Sequence, residues 1–103
     1  MAKKVSPQEA RQAVQSGKAL LVCAYEDDER FNKVHLEGAI SFGEFRNKEK
    51  DINKDQEIIF YCAWHDDATS ARVAASYENK GFSNVKVLAG GVNAWKQAGY
   101  PLL

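Results

Sequence analysis

The sequence predicts a small three-layer α/β domain with a central, mainly parallel sheet and helices on both faces. Three observations lead there. Short apolar runs recur, ALLVCA at 19–24 and IIFYC at 58–62, with a third strand read over NVKVL at 84–88. Runs of that length without polar alternation suit strands buried on both faces, as parallel strands are. Helix signals stand between them, and strands that alternate with helical crossovers build a parallel sheet covered on both sides.

The elements follow in order. Ser6-Pro7-Gln8-Glu9 is a capping box with proline at the first helical position. It starts a helix over 7–16 that Gly17 stops. The strand at 19–24 comes next, then a charged short helix over 26–33. Val34 to Gly38 is a turn, and Ala39-Ile40 a brief strand. A weak helix covers 42–50 and a polar loop 51–56. The second buried strand runs from Glu57 to Cys62. The strongest helix spans 67–80, closed by Gly81. The strand at 84–88 leads through the Gly90-Gly91 turn into a last helix over 92–98, closed by Gly99 with Pro101 beyond.

Composition narrows the function classes. A chain of 103 residues suits one domain, taken here as residues 1–103. Fourteen basic and fourteen acidic residues cancel, which argues against nucleic acid or an anionic membrane as a partner. No apolar run approaches the length of a membrane span. MAKKVSPQEA has two lysines without an apolar stretch behind them, unlike a secretory signal. Two cysteines are too few for a disulfide framework in a chain this large. The expectation is a cytoplasmic protein with reduced thiols. Nothing in the sequence sets an oligomeric state.

The chemistry centres on Cys62, which stands where a strand ends and a helix is about to begin. In open α/β sheets, ligands bind outside the carboxyl ends of the strands. The thiolate is the reactive form of cysteine, and the unpaired N–H groups of a helix N-terminus favour it. This pattern suits a nucleophile. It suits a packed core thiol equally well, because cysteine is among the most buried residue types.

Four stretches, taken together, resemble the rhodanese (sulfurtransferase) family across nearly the whole chain. VSPQEARQAVQSGKALLV is similar to its opening helix and first buried strand. VHLEGAI, 34–40, is similar to its signature turn, usually written G-H-I-P-G-A. YC with the following loop and SARVAA is similar to its active-site segment. GFSNVKVLAGGVNAWKQAGYPL is similar to its closing segment with the G-G-x-x-A-W turn. The resemblance implies that Cys62 takes sulfane sulfur from a small donor as a persulfide and passes it to a thiol, a protein acceptor or another nucleophile. It implies that the amides of Ala63, Trp64, His65, Asp66 and Asp67 cradle that persulfide. No cofactor and no metal is implied. His35 is expected to hold the signature turn, and Arg72 to pair with a carboxylate.

The departures from the family pattern matter as much. The usual loop reads C-R-x-G-x-R-S; here it reads CAWHDDATS, two residues longer, with neither arginine nor glycine. Carboxylates at Asp66 and Asp67 disfavour a nearby thiolate and repel an anionic donor, so thiosulfate is expected to be a poor one. Either aspartate also suits a helix N-cap, where it consumes the amides an anion would use. His65 is open to two readings, a partner for the thiolate or an exposed loop residue. Trp64 is read as a wall of the site. The family's strand ends D-V-R, but Cys23 and Tyr25 stand at the acidic and basic positions. Cys23 is a candidate resolving thiol for Cys62, with a small buried residue as the plainer alternative.

Three rival readings stand beside this one. The phosphatase chemistry found on a related fold needs an arginine six residues after the cysteine, and Ala68 stands there. A zinc site from two cysteines and two histidines lacks the close paired spacing of a zinc finger. A binding or redox-sensing module with an atypical acidic loop is the runner-up, favoured by the missing arginines. Retention of Cys62 favours the sulfurtransferase or sulfur carrier.

Overall fold

A computed structural model describes residues 2–25, 28–62 and 68–103. In chain order the elements are β1 (Lys3–Val5), α1 (Pro7–Gln15), β2 (Ala19–Cys23), α2 (Asp28–Lys33), β3 (Ala39–Ile40) and α3 (Phe42–Lys48). A 3-10 turn over Glu49–Asp51 precedes β4 (Glu57–Tyr61), α4 (Ala68–Asn79), β5 (Val85–Leu88) and α5 (Gly91–Gln97). Among the described residues, five strands form one sheet in the order β1-β5-β4-β2-β3. All four pairings are parallel, as the apolar runs predict.

β4 lies at the middle and is the most buried strand, with Ile58, Ile59, Phe60 and Tyr61 all at 1% exposure or less. It pairs with β2 over five residues, Ala19↔Glu57 to Cys23↔Tyr61. Alternation then divides the core. Val22, Ile58, Phe60 and Val87 face α3 and α4, where Phe45 and Tyr77 pack edge to face across 5.1 Å. Leu21, Cys23, Ile59, Tyr61 and Leu88 face the other way, against Ala10 of α1, Phe31 of α2 and Trp95 of α5.

β1 is a correction to the sequence reading, which placed no strand before the first helix. Lys3 and Lys4 are exposed and only Val5 is buried, so no apolar pattern marks it. Its strand geometry comes from pairing with β5 at the sheet edge.

Helix α1 begins as predicted. Ser6 Oγ accepts from the Glu9 amide at 3.1 Å, and Glu9 Oε1 accepts from the Ser6 amide at 3.1 Å. The Ser6 backbone N–H, then the Ser6 hydroxyl, hold the Glu9 carboxyl below its ordinary range. A second cap, Ser41 Oγ accepting from the Glu44 amide at 3.0 Å, starts α3.

Ser6→Ala should lower stability by about 1 kcal/mol in denaturant unfolding, the usual worth of such a cap. Glu9→Gln tests the charge. A carboxylate with a lowered folded pKa contributes stability above its unfolded value and loses it as pH falls through the folded one. The stability gap between wild type and Glu9→Gln should therefore be present at pH 7 and close in acid.

Candidate active site at the carboxyl end of β4

Parallel pairing brings the carboxyl ends of β2, β4 and β5 to one edge, and Cys62 follows β4 directly. The thiol is buried, at 3% exposure. The Ser70 backbone N–H, in the first turn of α4, donates to Cys62 Sγ at 3.1 Å. The first four amides of a helix have no partner within it, and here one of them is directed at sulfur. The positive end of the α4 dipole lies on the same atom, a setting that suits a sulfur carrying negative charge.

A second element fixes the backbone of Cys62. The Val92 amide donates to the Cys62 carbonyl at 3.3 Å. That amide lies in the first turn of α5, which Gly90, at φ +78, caps without a side chain. A Cβ on Gly90 would lie 2.6 Å from the Ala94 Cβ, so both conformation and space call for glycine.

Cys23 does not join Cys62. It lies in register with Tyr61 and packs in the α1–α5 half of the core, whereas the Cys62 sulfur meets α4 on the opposite face. Neither cysteine is in a disulfide. The two thiols thus contact different elements in the reduced protein. Cys23 has a different neighbour. Burial first, then the neighbouring Cys23 thiol, push the Tyr61 hydroxyl well above its ordinary range. The Leu36 amide donates to the Tyr61 oxygen at 3.5 Å.

That bond ties the signature turn to the sheet. His35 secures it further, as expected: Nδ1 donates to the Phe31 carbonyl at 2.8 Å, and the ring stacks on Phe31 with centroids 4.1 Å apart. His35 and Leu103 also exchange backbone bonds at 2.9 and 2.8 Å. Arg72 differs from expectation. It is exposed on α4 and has no ion pair among the described residues. Among those residues, no three His, Cys, Asp or Glu side chains gather to hold a metal.

The five loop positions Ala63, Trp64, His65, Asp66 and Asp67 lie outside the described residues. The described donor to sulfur is therefore Ser70. Sequence reasoning placed the cradle on the loop before it. The available signal was the helix start itself, since a first-turn amide is always in search of an acceptor.

Gly90→Ala should destabilise the protein by about 2 kcal/mol or more, because positive φ and a clash add. It should also raise the rate at which iodoacetamide alkylates Cys62 in the folded protein, as the Val92 amide leaves the Cys62 carbonyl.

Known proteins resemble this chain in sequence and fold. The family model described as "Rhodanese-like domain" matches residues 6–98. The thiosulfate sulfurtransferase GlpE of Actinobacillus succinogenes is 29% identical over 103 residues, covering 95% of this chain and 87% of the relative. The solution structure of the rhodanese-like domain of the Anabaena Alr3790 protein superposes with a TM-score of 0.82 at 21% identity, over 100% of this chain and 80% of that one. The Bacillus halodurans BH2092 protein gives 0.82 at 23% identity, over 99% and 77%. At such identities the solved structures speak to the fold alone.

Proposed function

Because the chain belongs to the rhodanese-like domain family, we propose that it is a sulfurtransferase or sulfur carrier that works through a persulfide on Cys62. The observation that carries the reading is the Ser70 amide, 3.1 Å from a buried Cys62 sulfur at the carboxyl end of the central strand. It supplies a fixed donor where charge resides in both the thiolate and the persulfide.

The steps balance without an added oxidant. The Cys62 thiolate attacks the outer sulfur of a thiol persulfide, RS–SH. A Cys62 S–S bond forms and the donor S–S bond breaks. The departing RS⁻ takes the electron pair, and the proton stays on the transferred sulfur. An acceptor thiolate then attacks that outer sulfur, a new S–S bond forms on the acceptor, and the Cys62 thiolate is restored.

The GlpE relative carries thiosulfate in its name. In this chain the loop CAWHDDATS contains two aspartates and no arginine. A dianionic donor meets repulsion from those carboxylates, with His65 the one basic side chain of the loop sequence to offset it, and a thiol-borne persulfide meets less. The thiol persulfide is accordingly the better donor in this proposal. A phosphatase reading lacks its arginine: Ala68 occupies that position and begins α4.

Intact-mass measurement after incubation of reduced protein with cysteine persulfide should show one added sulfur, retained in Cys23→Ser and lost in Cys62→Ser. Thiosulfate should load the protein at least tenfold more slowly. Absence of added sulfur from either donor, on folded protein, would falsify the sulfur-transfer reading and favour a binding or redox-sensing module.

A further inference from the structure

The face of the sheet opposite α4 holds a cavity of about 270 Å³ between α2 and α5. Its walls are Tyr25, Phe31, Val34, Tyr61, Val92 and Leu102. Burial gives it a floor and a mouth. Cys23 and Tyr61, at 4% and 1% exposure, close the bottom. Lys33 and Lys96 stand exposed at the opening, with Asn93 beside them. No described lining residue is a carboxylate, and neither lysine is ion-paired among the described residues.

We infer that this cavity is a binding site for a small organic anion with one aromatic ring or a short aliphatic body, the apolar part inside and the carboxylate between Lys33 and Lys96. Three features point to that occupant. The first is size. Pockets for drug-sized ligands begin at about 300 Å³, so this one takes a single ring and little more. The second is the lining, which is aromatic and aliphatic. The Tyr61 oxygen at its floor already accepts from the Leu36 amide, and no buried side-chain nitrogen or oxygen among the described residues lacks a partner. A ligand reaching the floor therefore meets apolar surface and leaves no unmet donor behind. The third is charge. Two lysines at the mouth, without a described acidic neighbour in the lining, complement an anionic end group in a chain whose net charge is zero.

The lining coincides with departures from the family's strand pattern. Cys23 and Tyr25 occupy the positions that usually hold an acid and a base, and both face this cavity. Two charges give way there to a thiol and a phenol ring, which turns a polar position into an apolar wall. Tyr61 and Val92 of the lining adjoin Cys62, one as its chain neighbour and the other through the amide on its carbonyl, but the inference needs no sulfur transfer. Binding is measured without any sulfur donor.

The test is an amide-resolved NMR titration of the whole chain with phenylacetate and with phenylacetamide, its neutral isostere, at low salt. Phenylacetate should give saturable shifts at Tyr25, Phe31, Val34 and Val92, with an affinity at least fivefold above that of phenylacetamide. In the surface double variant Lys33→Gln/Lys96→Gln the two affinities should converge to within twofold, and a retained amide spectrum verifies its fold. Val34→Asp, at a position 50% exposed on the wall, should weaken phenylacetate and spare phenylacetamide. The inference is overturned if phenylacetate gives no saturable shifts. It is also overturned if the shifts centre on α3 and α4, or if the preference for the anion survives removal of both lysines.

Discussion

The pairing of β4 between β2 and β5 is the constraint on which the rest depends. β4 contributes Ile58, Ile59, Phe60 and Tyr61, none of which reaches solvent appreciably. Each such side chain contributes roughly 1.5–3 kcal/mol on burial, so the strand is held strongly in the middle of the sheet. Parallel pairing then does something an antiparallel hairpin cannot. It delivers the residues after β2, β4 and β5 to the same edge. Cys62, the start of α4 and the Gly90 turn meet there because three strands end together.

Alternation along β4 determines what each residue can reach. Phe60 enters the α3–α4 half of the core and Tyr61 the α1–α5 half. Cys62 returns to the α4 side. A slip of one residue would reverse every assignment, and the five-residue register with β2 prevents it. Cys23 is thereby matched to Tyr61 and turned away from Cys62. The two thiols therefore differ in setting despite similar burial: one accepts from a helix amide, the other packs in the α1–α5 half of the core. The Tyr61 oxygen accepts from the Leu36 amide, so a core strand also anchors the turn that carries His35.

The parts of this arrangement visible in the sequence are those with local causes. The strands β2, β4 and β5 announce themselves through apolar composition, and α1 through Ser6, Pro7 and Glu9. β1 does not, because two of its three residues are exposed lysines and its geometry comes from a partner more than eighty residues away, Lys3↔Lys86 to Val5↔Leu88. The docking of the chain end on the signature turn, through the Leu36↔Leu102 bridge and the Trp95 Nε1 bond to the Pro101 carbonyl at 2.9 Å, is equally non-local. At the site, Cys62 is legible because it ends an apolar run. The donor on its sulfur is less so. Sequence spacing measures the loop contour and not where the helix returns, and Ser70 is eight residues away. The cavity is hidden for a related reason: Tyr25, Phe31, Val92 and Leu102 come from four separate segments.

This bears on how the longer loop is to be understood. Both of its ends are anchored, Tyr61 in β4 and Ala68 in α4. Extending a loop between fixed ends costs little, because closure entropy rises only with the logarithm of length. The added residues thus need not displace α4, and the 3.1 Å contact from Ser70 to Cys62 shows the helix amide still at the sulfur. Two features of the site then separate. Holding the sulfur belongs to the strand end and the helix start, which are set by the core. In the proposed reading, selecting what approaches it falls to the loop, whose sequence carries Asp66 and Asp67. A change confined to the loop can alter the donor while the anchored sulfur stays where the sheet puts it.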